Sequence, residues 1–167
     1  MKISLLSDTH GHLDTHLMPY LIASDQIWHA GDIGNVDLLQ KLNNIKPLEA
    51  VYGNIDGQDV RSHCPEWKII KIQKFKALMI HIAGVPGKYH PGVQKLINEH
   101  RPHALICGHS HIVRVQHFNH LNLLHINPGA CGTHGFHKVK TLIQFEILET
   151  RLTNMNLIEL GPRAKIT

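Results

Sequence analysis

The chain has 167 residues, 43% of them hydrophobic and 18% charged, a balance that supports a buried core and excludes a disordered chain. A formal net charge of +4 and a pI near 9.0 favour anionic ligands, but no run of Lys or Arg forms the stripe expected of a nucleic-acid groove. Three cysteines, Cys64, Cys107 and Cys131, are too few and too scattered for a disulfide framework or a CxxC zinc site.

In chain order, Lys2–Leu6 reads as a buried strand running into Ser7-Asp8-Thr9-His10-Gly11. Its apolar stretch is cut at once by Asp8, so it is neither a leader nor a membrane span, and a reducing cytoplasmic setting is the default expectation. Residues 14–23 form a helix with Asp14 as its cap and Pro19 as a kink or interruption. Gln26–His29 is a second strand, ending at Gly31-Asp32; 36–42 is a helix; 48–52 is a third strand, ending at Gly53-Asn54. Residues 67–73 and 77–82 are neighbouring strands joined by a polar turn at 74–76, with Lys68, Lys71, Lys74 and Lys76 on the wet side. A helix begins at Pro91 and runs to 99. An apolar strand at 104–107 runs into Gly108-His109-Ser110-His111, and 113–118, 123–127, 142–148 and 154–159 complete the strands. No linker or repeat divides the chain, so the expectation is one domain over residues 1–167. Its class is α/β, a two-layered β-sandwich core flanked by helices.

The functional signal is where the strands stop. Asp8, Asp32, Asn54, His81 and His109 fall at or just beyond strand ends, which gather on one edge in sheets of this kind. Sixteen histidines also need explaining, because imidazole suits metals and proton transfer; His16, His100, His117 and His120 read as surface residues. The ordered set Asp8-x-His10, Gly31-Asp32, Gly53-Asn54-Ile55-Asp56, His81 and Gly108-His109-x-His111 offers carboxylate, amide and imidazole donors beside glycines that let the backbone bend.

That set, spanning Asp8 to Gly132, resembles the calcineurin-like metallophosphoesterase superfamily, and within it the small bacterial phosphodiesterases related to the retromer scaffold subunit. The resemblance implies that Asp8, His10, Asp32 and His111 hold one metal. Asp32 then bridges to a second, completed by Asn54, His81 and His109. Such donors suit Mn2+ first, with Fe2+, Ni2+ or Zn2+ ahead of Ca2+. Two divalent ions, two aspartates and a bridging hydroxide leave about one surplus positive charge, which matches a phosphodiester anion. The expected chemistry is in-line attack of that hydroxide on a small phosphate ester, with nucleic acid relevant only as a substrate.

Two positions depart from the family pattern. Ile55 stands where many relatives carry a His that protonates the leaving oxygen, which leaves His12 as the nearest catalytic candidate by sequence. Ile82-Ala83 separates His81 from Gly84, where relatives have Gly directly. Asp56 and Asn127-Pro128-Gly129-Ala130 read as supports for the site, and Gly84 to Lys88 lacks the spacing of a P-loop. Arg61 and Lys88 are within sequence reach of a substrate phosphate, and the loops 58–65 and 85–91 are the expected determinants of specificity. The alternative function is a non-catalytic interaction scaffold on the same fold; retention of every donor favours the enzyme.

Overall fold

The computed structural model describes residues 1–163. Two five-stranded sheets face each other. The first has the order β12-β11-β1-β2-β3: β1 (Lys2–Leu6), β2 (Gln26–His29) and β3 (Leu48–Ala50) are parallel, and β11 (Val139–Leu148) and β12 (Arg151–Pro162) extend it antiparallel. The second has the order β4-β5-β8-β10-β9. Here β5 (Phe75–Ile80), β8 (Ala104–Ile106) and β10 (Leu123–Pro128) run parallel between antiparallel edges β4 (Trp67–Ile72) and β9 (Val113–Phe118). A small hairpin, β6 (Gly84–Val85) with β7 (Lys88–Tyr89), stands apart. The helices are α1 (Met18–Ile22), α2 (Val36–Ile45), α3 (Gln58–Arg61) and α4 (Pro91–His100).

Period-two alternation builds the layers. Ile3, Leu5, Trp28, Phe145, Met79, Ile106 and Ile126 point between the sheets into one cluster, where Trp28 and Phe145 meet edge to face at 5.6 Å. Leu6 and Ile27 point outward and pack with Leu17, Leu21, Leu38 and Leu42. Leu78, Ile80 and Leu105 do the same against Val93 and Ile97 of α4. The two-layered sandwich with flanking helices is therefore the observed fold.

Several boundaries differ from the sequence-based expectation. Residues 14–23 divide into a 3-10 turn (Thr15–Leu17) and α1, with Pro19 in the first turn, where its missing N–H costs no hydrogen bond. Pairing of Ile72 with Phe75 moves the hairpin turn to Gln73-Lys74, with Gln73 at φ 53°. The short helix α3 and the β6–β7 hairpin occupy stretches expected as loops. Strands β11 and β12 are longer than expected because register shifts interrupt their alternation. Residues 164–167 of the expected single domain lie outside the described residues.

The loop that follows His12 is pinned by a buried ion pair. Asp14, 7% exposed, accepts from Lys140 Nζ of β11 and caps the 3-10 turn through His16 N–H at 2.9 Å. Burial opposes its charge, but Lys140 and the His16 hydrogen bonds outweigh that and hold its pKa well below the usual carboxylate range. Asp14→Ala strands the Lys140 ammonium, and should lower the unfolding free energy at neutral pH by about 3–5 kcal/mol. Adding Lys140→Met should recover most of that loss. A folded pKa below the unfolded one means stability that is full above the unfolded carboxylate pKa of roughly 3.9 and is lost as pH falls below it. Urea melts across that acid range should therefore show wild type and Asp14→Ala converging.

Candidate metal centre

The carboxyl ends of the parallel strands in both sheets meet on one edge, and the turns beyond them have an uncommon backbone. Asp8 and His10 after β1, Asp32 after β2, and His109 and His111 after β8 have φ values of 56°, 50°, 56°, 67° and 58°. Non-glycine residues held in the left-handed region cost of order 1–3 kcal/mol each and persist only where their surroundings over-determine them. Here the surroundings are specific. Asp8 N–H donates to Gly31 O at 3.0 Å, His10 N–H to Asp32 O at 3.0 Å, and Gly11 N–H to Ile33 O at 2.7 Å, which zips the first turn onto the second. Asp56 accepts from the N–H groups of Ile33 (3.1 Å), Gly34 (2.7 Å) and Gly53 (2.7 Å), tying the second turn to the third. Asn127 donates to Gly108 O at 2.8 Å and Ser110 Oγ at 3.0 Å, bracing the fourth. Asp56 and Asn127 thus support the turns, as the sequence predicts.

Two glycines make room. A Cβ on Gly53 would fall 2.0 Å from Asp32 Oδ1, and one on Gly31 would fall 2.6 Å from His81 Nδ1.

Six of the seven expected donors form two groups. Donor atoms of Asp8, His10 and His111 lie within 4.8 Å of one another, and so do those of Asp32, His81 and His109. Asp32 faces both groups: His81 Nε2 is 3.2 Å from its Oδ1, and His10 Nε2 is 3.9 Å from its Oδ2. His111 Nε2 is 3.2 Å from Asp8 Oδ1. Asn54 is exposed and stands between Gly53, which crowds Asp32, and Ile55, whose N–H donates to Asp32 Oδ1 at 3.1 Å. It shares with His81 the wall of a cavity of about 210 Å3. His12 is exposed, with its N–H returned to Thr9 O at 3.0 Å, and stands outside both donor groups. Arg61 stacks over Tyr52 at 4.6 Å and donates to Asp56 O at 2.7 Å, a structural engagement.

The hydrogen bonds fix which nitrogen of each ring is available. Ala30 O can only accept, so His81 Nδ1, 2.8 Å away, carries the proton. The neutral ring therefore turns a lone pair toward Asp32, and only a proton or a cation between them removes that repulsion. His10 Nε2 and His81 Nε2 are buried without a hydrogen-bond partner, an arrangement native proteins avoid unless another group completes it. Both orphaned atoms fit a metal. Burial lowers the pKa of His10 against the pull of Asp32 and Asp8. For His81 burial is outweighed by Asp32 and Asp8, which favour the protonated ring whose second N–H can bond to Asp32, and its pKa rises. For His111 the rise is led by Asp8, which can accept a hydrogen bond from Nε2 once the ring is protonated. Asp32 is also desolvated, yet His81 and the Ile55 N–H hold its pKa down.

Three histidines at the site carry no sequence motif. His29 is fully buried; its Nδ1 accepts from Gly31 N–H at 3.2 Å, so its Nε2–H donates to Thr9 Oγ1 at 2.8 Å and holds the turn between Asp8 and His10. Burial leads the fall of its pKa to about 4, so the ring is neutral. His134 packs on His10 with centroids 5.5 Å apart. His137 donates from Nε2 to Gly132 O at 3.1 Å, which leaves its Nδ1 to accept from His111 Nδ1–H at 3.3 Å. That bond turns the His111 Nε2 lone pair toward Asp8, the outer support typical of metal-binding imidazoles. Only the spacing Thr133-His134-x-x-His137 downstream of Gly132 could have flagged the last two.

The sequence model of the calcineurin-like phosphoesterase superfamily domain matches residues 1–150. A probable metallophosphoesterase of Methanothermobacter thermautotrophicus is 29% identical over 135 residues, covering 78% of this chain and 77% of its own. A phosphodiesterase of Methanocaldococcus jannaschii is 26% identical over 149 residues, covering 78% and 84%. Among solved structures, a single-mutant Vps29 from Entamoeba histolytica superposes with a TM-score of 0.75 at 16% identity, over 96% of this chain and 100% of that one. The chain belongs to the calcineurin-like phosphoesterase superfamily, whose members use divalent metals.

The tautomer argument is directly testable. In metal-free protein at about pH 8, 15N imidazole spectra should show His111 protonated at Nδ1 and His137 at Nε2. His137→Phe should leave the fold intact and give His111 a mixture of tautomers. An unchanged His111 pattern would mean that His137 does not orient it.

Proposed function

We propose that this protein is a divalent-metal-dependent phosphodiesterase in which Asp8, His10, Asp32 and His111 hold one ion and Asp32, Asn54, His81 and His109 hold a second. One observation carries the reading. A single buried carboxylate, Asp32, presents one oxygen to His81 at 3.2 Å and the other to His10 at 3.9 Å, as a residue shared by two ions must. The donor set suits Mn2+ first, then Fe2+, Ni2+ or Zn2+. Two such ions, when bound, lower the pKa of a shared water and polarise phosphoryl oxygens for in-line displacement.

The chain's own groups supply orientation. Ala30 O and His137 hold His81 and His111 with their free nitrogens turned inward. Asp56 and Asn127 keep the turns in register, and the exposed His109 lies at the substrate side. Ile55, 46% exposed, cannot donate a proton to a departing oxygen. The reading is therefore a diesterase that prefers stabilised leaving groups, in keeping with the archaeal relative named a phosphodiesterase. The likeness to Vps29 supports the fold alone, and donor-type residues at every expected position favour enzyme over scaffold. Three buried free thiols suit the reducing, cytoplasmic setting we propose for action on small esters. We take the chain as a single domain.

With Mn2+ and matched nitrophenyl esters, kcat/KM should be higher for the diester than for the monoester. A monoester preference of about tenfold or more, near 1.4 kcal/mol, would overturn the diester reading. Ile55→His should raise turnover most on esters with poor leaving groups.

Asp32→Ala should cost more activity than His12→Ala, because it removes a donor from both ions and a charge between them. A general acid at His12 is worth at most ~10²–10⁴-fold. Equal losses, or full metal content in Asp32→Ala, would contradict the shared role.

A further inference from the structure

Ile82, Val85 and Ile112 are large apolar side chains left 37%, 66% and 68% exposed. Ile82 follows His81 in the chain, Ile112 follows His111, and Val85 sits on the β6–β7 hairpin between them. With Pro86 they wall a cavity of about 410 Å3 that opens beside His109 and Asn127. On the other side of His81 and Ile82 lies the cavity of about 210 Å3, walled by Tyr52, Asn54, Arg61 and Glu66. A phosphorus atom at the proposed centre thus has two unlike neighbours: a roomy, mainly apolar one and a smaller one of mixed character that carries Arg61 and Glu66.

The floor of the larger cavity is rigid and uncharged. His125, 2% exposed, stacks on Tyr89 at an interplanar angle of 14° and hydrogen-bonds its hydroxyl at 3.2 Å. Its other nitrogen meets Cys107 Sγ at 3.6 Å. Burial, aided by Arg114, drops the His125 pKa to about 4, so the ring stays neutral. Arg114 brings a full charge to the rim, where Gln116 Oε1 holds it at 3.0 and 2.8 Å. A neutral floor, apolar walls and a few polar groups at the mouth describe a pocket for an organic ring rather than for a second phosphate.

We propose that this cavity is a subsite for the larger, apolar or aromatic ester group of an unsymmetrical phosphodiester, with the smaller cavity taking the other substituent. The proposal rests on the diesterase reading for its ligand class. It explains why three large apolar side chains are kept in water beside a polar centre, since binding covers them.

The test separates the two readings by using ligands with one variable group and no good leaving group. Monomethyl esters of methyl-, phenyl- and naphthylphosphonate should inhibit turnover of a nitrophenyl diester competitively. Their inhibition constants should fall at least about tenfold from methyl to phenyl, the scale of a filled apolar pocket. Val85→Ser and Ile112→Ser should shrink that ratio toward one, while Ile22→Ser, an exposed apolar position on α1, should leave it alone. In parallel, 13C-methyl spectra of Ile82 and Ile112 should shift with the phenyl ester and much less with the methyl ester, whether or not the protein turns anything over. A flat series of constants, or shifts equal for the two esters, overturns the subsite. No turnover of any diester alongside phenyl-selective shifts overturns the diesterase reading and leaves the subsite standing.

Discussion

Asp8 and Asp32 are buried to 0% and 3% exposure, and among the described residues their ion-pair partners are imidazoles only, those of His10, His81 and His111. Burying an ion costs several kcal/mol even after relaxation, unless partners replace water. The same chain shows two complete solutions to that problem. Asp14 has an ammonium, Lys140; Asp56 has three backbone N–H groups. Asp8 and Asp32 receive less: His109 N–H reaches the first at 3.2 Å and Ile55 N–H the second at 3.1 Å. Their remaining lone pairs face ring nitrogens that are themselves short of partners. That deficit is what a cation would fill. The left-handed turns, the gaps at Gly31 and Gly53 and the Asp56 tie are all means of holding it in place.

Much of this could be read from the sequence because strand ends are legible twice over. An apolar run that stops at an Asp or a His, as after Gly31 and Gly108, marks both a boundary and a candidate donor, so Asp8, Asp32, His81 and the His109-x-His111 pair stand out as candidates without coordinates. What stayed hidden has specific causes. Gly84-Val85 and Lys88-Tyr89 are too short to display any period. Asn154, at φ 51°, lies beside a register shift in β12, so the alternation that should begin at Arg151 is broken before it is long enough to recognise. His29 hides in a strand of ordinary apolar appearance. His134 and His137 are lost among sixteen histidines, since proximity to His10 and His111 depends on how the 128–139 connection folds back.

The supports of the centre also show why neighbouring residues differ in tolerance. Asp56 touches no donor atom directly, yet its loss would release three N–H groups from two different turns at once. Ile55, its neighbour, has an exposed side chain and offers the site only its backbone. Substitution there changes what the cleft presents to a ligand without undoing how the cleft is held.

The division of donors between the two sheets has a temporal side. Of the proposed donors, Asp8, His10, Asp32 and Asn54 follow strands of the first sheet, while His81, His109 and His111 follow strands of the second. The first sheet is itself incomplete until β11, near the far end of the chain, lies against β1. On the ribosome the acidic half emerges first, with one of its imidazoles, and waits for the rest. A chain cut short before residue 109 lacks two of the proposed imidazoles, and its central strand β1 has an open edge. The proposed centre would therefore be complete only when both sheets have come together.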